Sequence, residues 1–141
     1  MSKKTYISTL VMLTIILFSI VAFTALRIVP ARVISFCSPK YEVLTPVVKA
    51  GEFVEYRIEL IKYKEIPGTV SRMLVNSYIY TLTPTDGNLP IGPNNQILRI
   101  PIPNFVEPGL YYINTVYKYP TNFGFRTEVY SHNTETFEII K

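Results

Sequence analysis

The chain has 141 residues, 48% of them hydrophobic, with one cysteine, one histidine and a formal charge of +4. With Cys37 the only cysteine, His132 the only histidine and Asp86 the only aspartate, the composition excludes an internal disulfide and a His/Cys metal cluster. Beyond Val33 ten Lys and Arg face ten Asp and Glu, so the excess charge lies in Lys3, Lys4, Arg27 and Arg32, and no nucleic-acid footprint remains.

A short basic tail, residues 1–5, precedes twenty-one residues without a charge, 6–26. At about 1.5 Å per residue a helix of that length covers roughly 30 Å, the thickness of a bilayer's hydrocarbon core. The run is longer than the apolar core of about 7 to 15 residues in a secretory signal. Val29-Pro30-Ala31 is a poor cleavage site with Pro30 inside it and Arg27 nearby, so the segment reads as an uncleaved signal-anchor, a transmembrane helix embedded in the lipid bilayer through residues 6–26. Ser8, Thr9, Thr14, Ser19 and Thr24 are compatible with a span because their hydroxyls can return to helix carbonyls. No Gly-xxx-Gly pairing pattern is present. Lys3, Lys4 and the amino terminus stand against Arg27 and Arg32, and a downstream domain is translocated readily whatever its charge. The expected topology is therefore amino terminus cytoplasmic and carboxyl-terminal domain extracytoplasmic. Residues 27–40 read as a juxtamembrane linker holding an inert Cys37, and no Asn-x-Ser/Thr acceptor occurs in the chain.

From residue 41 the pattern changes to short alternating stretches separated by Pro, Gly and Asn. In residues 53–60 Val54, Tyr56, Ile58 and Leu60 point one way and Glu55, Arg57 and Glu59 the other, the mark of a half-buried strand. Similar runs are 41–48, 72–82, 96–102, 110–119, 125–130 and 136–140, with turn signals at Ala50-Gly51, Pro67-Gly68, Asp86-Gly87, Gly92-Pro93 and Pro108-Gly109. No amphipathic helical pattern interrupts them. Residues 41–141 are thus expected to form one all-β domain, an antiparallel β-sandwich of about seven strands, behind the single transmembrane helix.

The motif Val48-Lys49-Ala50-Gly51-Glu52-Phe53-Val54-Glu55-Tyr56 resembles the strand-turn-strand opening of bacterial immunoglobulin-like domains. Glu107-Pro108-Gly109-Leu110-Tyr111-Tyr112 resembles the Pro-Gly-x-Tyr approach to a late strand of that class. The resemblance covers residues 41–141 and implies a tyrosine corner, for which Tyr111 is the candidate and Tyr112 the alternative. The tryptophan and paired cysteines of antibody domains are missing. Tail, span and single sandwich together also resemble small uncharacterised membrane proteins of tailed bacteriophages, through Tyr63-Lys64-Glu65-Ile66-Pro67-Gly68 and Asn88-Leu89-Pro90-Ile91-Gly92. Type IV pilins also join an apolar helix to a β domain, but their acidic residue early in the helix has no counterpart here.

Nothing in the sequence assembles a catalytic, cofactor-binding or metal-binding set. His132, in Ser131-His132-Asn133-Thr134, reads as a solvated residue of a polar turn, and Glu55, Arg57 and Glu59 as a solvated charged stripe. The expectation is a non-enzymatic domain that binds a protein partner not yet identified, with no cofactor. Residues 83–95, rich in Pro, Gly and Asn and too polar to pair regularly, form the candidate recognition loop, with Asp86, Asn88, Asn94 and Asn95 as its contact residues. Eleven tyrosines offer a second candidate, an aromatic sheet face at Tyr112. The alternative role is a structural subunit of a virion or membrane complex.

Overall fold

The computed structural model describes residues 2–141, except for the side chain of Asp86. Helix α1, Lys3–Ile28, is apolar all round between Lys4 and Arg27, and no residue of it is buried. Ser2 caps its start by accepting the Thr5 amide (3.3 Å), and Val29 ends it, as a residue before proline should. The hydroxyls of Thr9, Thr14, Ser19 and Thr24 donate to the carbonyls four residues back at 2.8–2.9 Å, so the helix leaves none of these groups unbonded. It is long and apolar enough to cross a membrane.

The rest of the chain forms two sheets. In the smaller, β4 (Phe53–Lys62) is central: β8 (Gly92–Pro101) pairs along one edge, and β1 (Ile34–Phe36) and β2 (Glu42–Val43) share the other. In the larger sheet β9 (Gly109–Thr121) is central. On one side it meets β10 (Arg126–Asn133) and β11 (Phe137–Ile140), and on the other β5 (Thr69–Val75), which carries β6 (Ile79–Thr81) and β7 (Thr85–Asp86). At the far edge β3 (Val47–Lys49) runs parallel to β11. All other strand pairings are antiparallel.

The two sheets share a core. Val54, Tyr56 and Ile58 from β4 meet Leu74, Tyr111, Ile113, Phe137 and Ile139 from the larger sheet, and all are essentially inaccessible. Alternation in residues 53–60 therefore gives the observed facing, with Arg57 outside and ion-paired to Glu42 at 2.7 Å. Gly51 adopts φ +88° in the turn between β3 and β4, and a Cβ there would strike the Asn104 side chain, so the turn requires glycine.

Four expectations change. The 41–48 run is two short strands on different sheets, and 72–82 divides into β5 and β6 at a turn where the Tyr78 amide donates to Asn76 Oδ1 (2.7 Å). The segment 27–40 is not a free linker. Val33 and Ile34 are fully buried beside Leu60, Val70, Tyr117 and Tyr119, because a few residues of mostly apolar character are enough to complete the open end of β4. His132 is not solvated either. Strand β10 continues through it in register with Thr115, and alternation turns it inward onto the Phe36 ring, centroids 4.0 Å apart.

The surroundings of His132 set a pH dependence. Burial lowers its pKa and outweighs the opposing hydrogen bond with the Ser38 backbone, so the folded state holds the ring neutral. Below the ordinary value of 6.5 the unfolded chain binds a proton that the folded one resists, and stability must fall as pH falls. Urea unfolding between pH 7.5 and 5 should show this loss in the natural chain, and His132→Gln should flatten the slope whatever it costs at neutral pH.

Candidate functional site

The proposed recognition segment, 83–95, is more ordered than its composition implied. Thr85–Asp86 forms β7 against Thr69 and Val70, the Gly87 amide donates to Gly68 O (2.9 Å), and residues 92–95 are the first residues of β8, paired with Glu59 to Lys62. These residues are polar because β8 is largely exposed, not because the backbone is irregular. Asn94 is buried, with Nδ2 donating to Pro90 O (2.9 Å) and Gly92 O (3.0 Å), so it staples the segment and is not a contact residue. Asn88 and Asn95 are exposed, and Asn95 reaches Glu59 at 3.4 Å. Asp86 lies in β7 on the same rim.

Between this rim and β8 the two sheets part. They leave a groove of about 430 Å³ lined by Leu82, Thr83, Thr85, Ile100 and Pro101. A second space of about 370 Å³, lined by Gly87, Asn88, Leu89 and Leu98, adjoins it through Arg72, Thr85, Arg99 and Ile100, which line both. Arg72 forms the floor. It is 6% exposed, its Nε donates to Tyr56 Oη (3.0 Å) and its Nη1 to Thr85 Oγ1 (2.7 Å). Alternation with Val70 and Leu74 in β5 turned this arginine inward, which was the one sequence signal for it.

Tyr117, which lines the second space, forms a buried phenol pair with Tyr41, their hydroxyls 3.0 Å apart. Burial first, then the neighbouring phenols, raises Tyr41 far beyond its ordinary range, and burial pushes Tyr117 up to about 12. Neither ionises near neutrality, so the pair serves as a hydrogen-bonded core element. Tyr111 and Tyr119 also face inward, and Tyr111 Oη donates to Glu107 O (2.8 Å), the hydrogen bond expected of a tyrosine corner. Tyr112 points to the opposite face of β9, half-buried, in a row with Val75 and Ile79 across three strands.

Among the described residues no three His, Cys, Asp or Glu side chains gather as metal ligands. Glu42, Arg57, Glu59 and Glu135 border a shallow surface hollow near Lys40, but Arg57 is already engaged by Glu42.

No protein-family model and no curated protein matches the chain. Solved structures with a similar course include the alkylpurine DNA glycosylase AlkC of Pseudomonas fluorescens bound to abasic-site DNA (TM-score 0.45, 16% identity, 84% of this chain and 33% of that one). Others are the neutral ceramidase of Pseudomonas aeruginosa (TM-score 0.43, 15% identity, 74% and 20%) and a CARDB domain from Pyrococcus furiosus solved with di-metal ions (TM-score 0.39, 15% identity, 79% and 95%). The chain spans a third or less of the glycosylase and the ceramidase. At TM-scores below 0.5 these likenesses carry no argument about function.

Proposed function

We propose that this protein is a membrane-anchored, non-enzymatic interaction domain of immunoglobulin-like type, held outside the cytoplasm by α1, and that it captures a protein partner in the groove floored by Arg72. The observation that carries this reading is the groove itself, which opens beside the free edge of β8, a ten-residue strand paired on one side only among the described residues. Free edges of this length accept an extended segment by strand addition, with groove residues selecting its side chains. The Tyr111 hydrogen bond supports the immunoglobulin-like assignment, and the apolar α1 supports the anchor. A tether of this sort fits the layout of small phage-encoded envelope proteins. A structural-subunit role is the alternative, favoured by the apolar row in which half-buried Tyr112 and Val75 stand beside exposed Ile79.

Thr83 and Asn88 are exposed on the groove wall, so Thr83→Arg combined with Asn88→Arg should fill the space without touching the core. The expected result is at least a tenfold loss of partner captured from host membranes, about 1.4 kcal/mol, with unfolding unchanged. Undiminished capture moves the site to Tyr112, where alanine is the next variant. Self-assembly indifferent to both changes favours the subunit role.

A further inference from the structure

The hairpin joining β9 to β10 grips the end of α1. Asn122 Nδ2 donates to Leu26 O (2.7 Å) and Val29 O (2.9 Å), and Arg126 Nη1 to Arg27 O (3.1 Å) and Ile28 O (2.8 Å). These are the carbonyls a helix leaves without partners at its end. Glu128 Oε1 accepts the Ala31 amide (3.1 Å) and Tyr130 Oη the Val33 amide (2.9 Å), so the chain leaving the helix is bonded to β10 as well. The helix therefore does not hang from a flexible tether.

The grip fixes how deep the hairpin tip sits. The Phe125 ring lies 5.0 Å from that of Phe23, edge to face. Phe23 belongs to the uncharged run and is about 4.5 Å along the axis below Leu26, the run's last residue. The tip thus reaches past the level at which the apolar run ends. Between Asn122 and Phe125 the backbone is left-handed at three consecutive residues, including Phe123 at φ +58°, and the Phe123 side chain is 91% exposed. A bulky residue in that conformation is uncommon, and here it holds an aromatic ring away from the fold beside the helix end.

We propose that this hairpin tip is a second membrane contact, in which Phe123 and Phe125 enter the boundary between headgroups and acyl chains while Arg27 and Arg32 face lipid phosphates. The occupant is the bilayer because the surface is continuous with the membrane-crossing helix, and because exposed apolar rings with an exposed arginine beside them, Arg27 over the Phe23 ring (5.3 Å), match an interface of that composition. Two contacts in place of one fix the domain's tilt, which aims the groove relative to the membrane plane. The inference rests on the anchor reading.

The chain has no tryptophan, so Phe123→Trp gives a single reporter. Phe105→Trp provides the control, since Phe105 is 72% exposed before the start of β9, about 40 Å of strand from the tip. The full-length variants are reconstituted in phosphatidylethanolamine–phosphatidylglycerol vesicles containing brominated acyl chains. The indole of Phe123→Trp should emit at shorter wavelength and lose at least half its intensity to bromine, while that of Phe105→Trp keeps a water-like spectrum. Phe125→Trp, whose ring position is already packed on the helix, should be quenched as well. Vesicles that float with the protein while the Phe123→Trp reporter stays unquenched overturn the inference and leave the anchor intact. Failure to float removes both.

Discussion

Ile58→Ala should cost roughly 2 to 5 kcal/mol of unfolding free energy while Arg57→Ala, one residue away, changes it little. Ile58 is 2% exposed and sits where the smaller sheet meets the larger, so its truncation leaves a cavity that close neighbours fill only in part. Arg57 faces water, and its ion pair with Glu42 joins side chains that are 37% and 56% exposed, the kind of pair worth about 0 to 1 kcal/mol. Urea unfolding of both variants in detergent micelles measures the contrast. Equal losses would put the strand one residue out of register, since a slip of one exchanges its faces.

How much of this was legible in the sequence depended on how far each side chain's environment follows from its neighbours along the chain. Strand β4 was legible because one face is buried and the other wet, which writes a strict alternation, and Tyr111 was legible because a turn fixes its distance from Glu107. Strand β1 was hidden because three residues carry no periodicity, and its partner, the end of β4, is remote in the chain. The His132 environment was hidden because Ser, His, Asn and Thr look like a turn when only their polarity is weighed. Its alternation with Tyr130 would have suggested a strand, but the stacking on Phe36 comes from long-range contact. Asn94 misled for the opposite reason: a buried asparagine that bonds two carbonyls has the same sequence signature as one offered to a partner. The groove itself needed the separation of two sheet edges, and the grip of Asn122 and Arg126 on α1 joins residues nearly a hundred apart.

The second large effect concerns α1. Leu17 lies near the middle of the helix with its side chain open to the surroundings, and an arginine there costs about 2.5 to 3.5 kcal/mol on insertion scales. Leu17→Arg should therefore move a substantial fraction of the protein out of the membrane while the two sheets, which do not touch residue 17, unfold as before. A conservative Leu17→Ile should change neither. Loss of the fold in Leu17→Arg would mean that the helix packs on the domain along its length, contrary to contacts confined to its last two turns.

The most direct measurement of a domain tethered by an intact helix is alkaline carbonate extraction of host membranes followed by the intact mass of the recovered protein. The expected result is a membrane-bound chain that retains α1, resisting extraction in the natural sequence and released in Leu17→Arg. A soluble chain beginning at Arg32 would contradict it, showing that α1 is removed as a signal and that the grip of Asn122 and Arg126 on the helix end has no part in the mature protein.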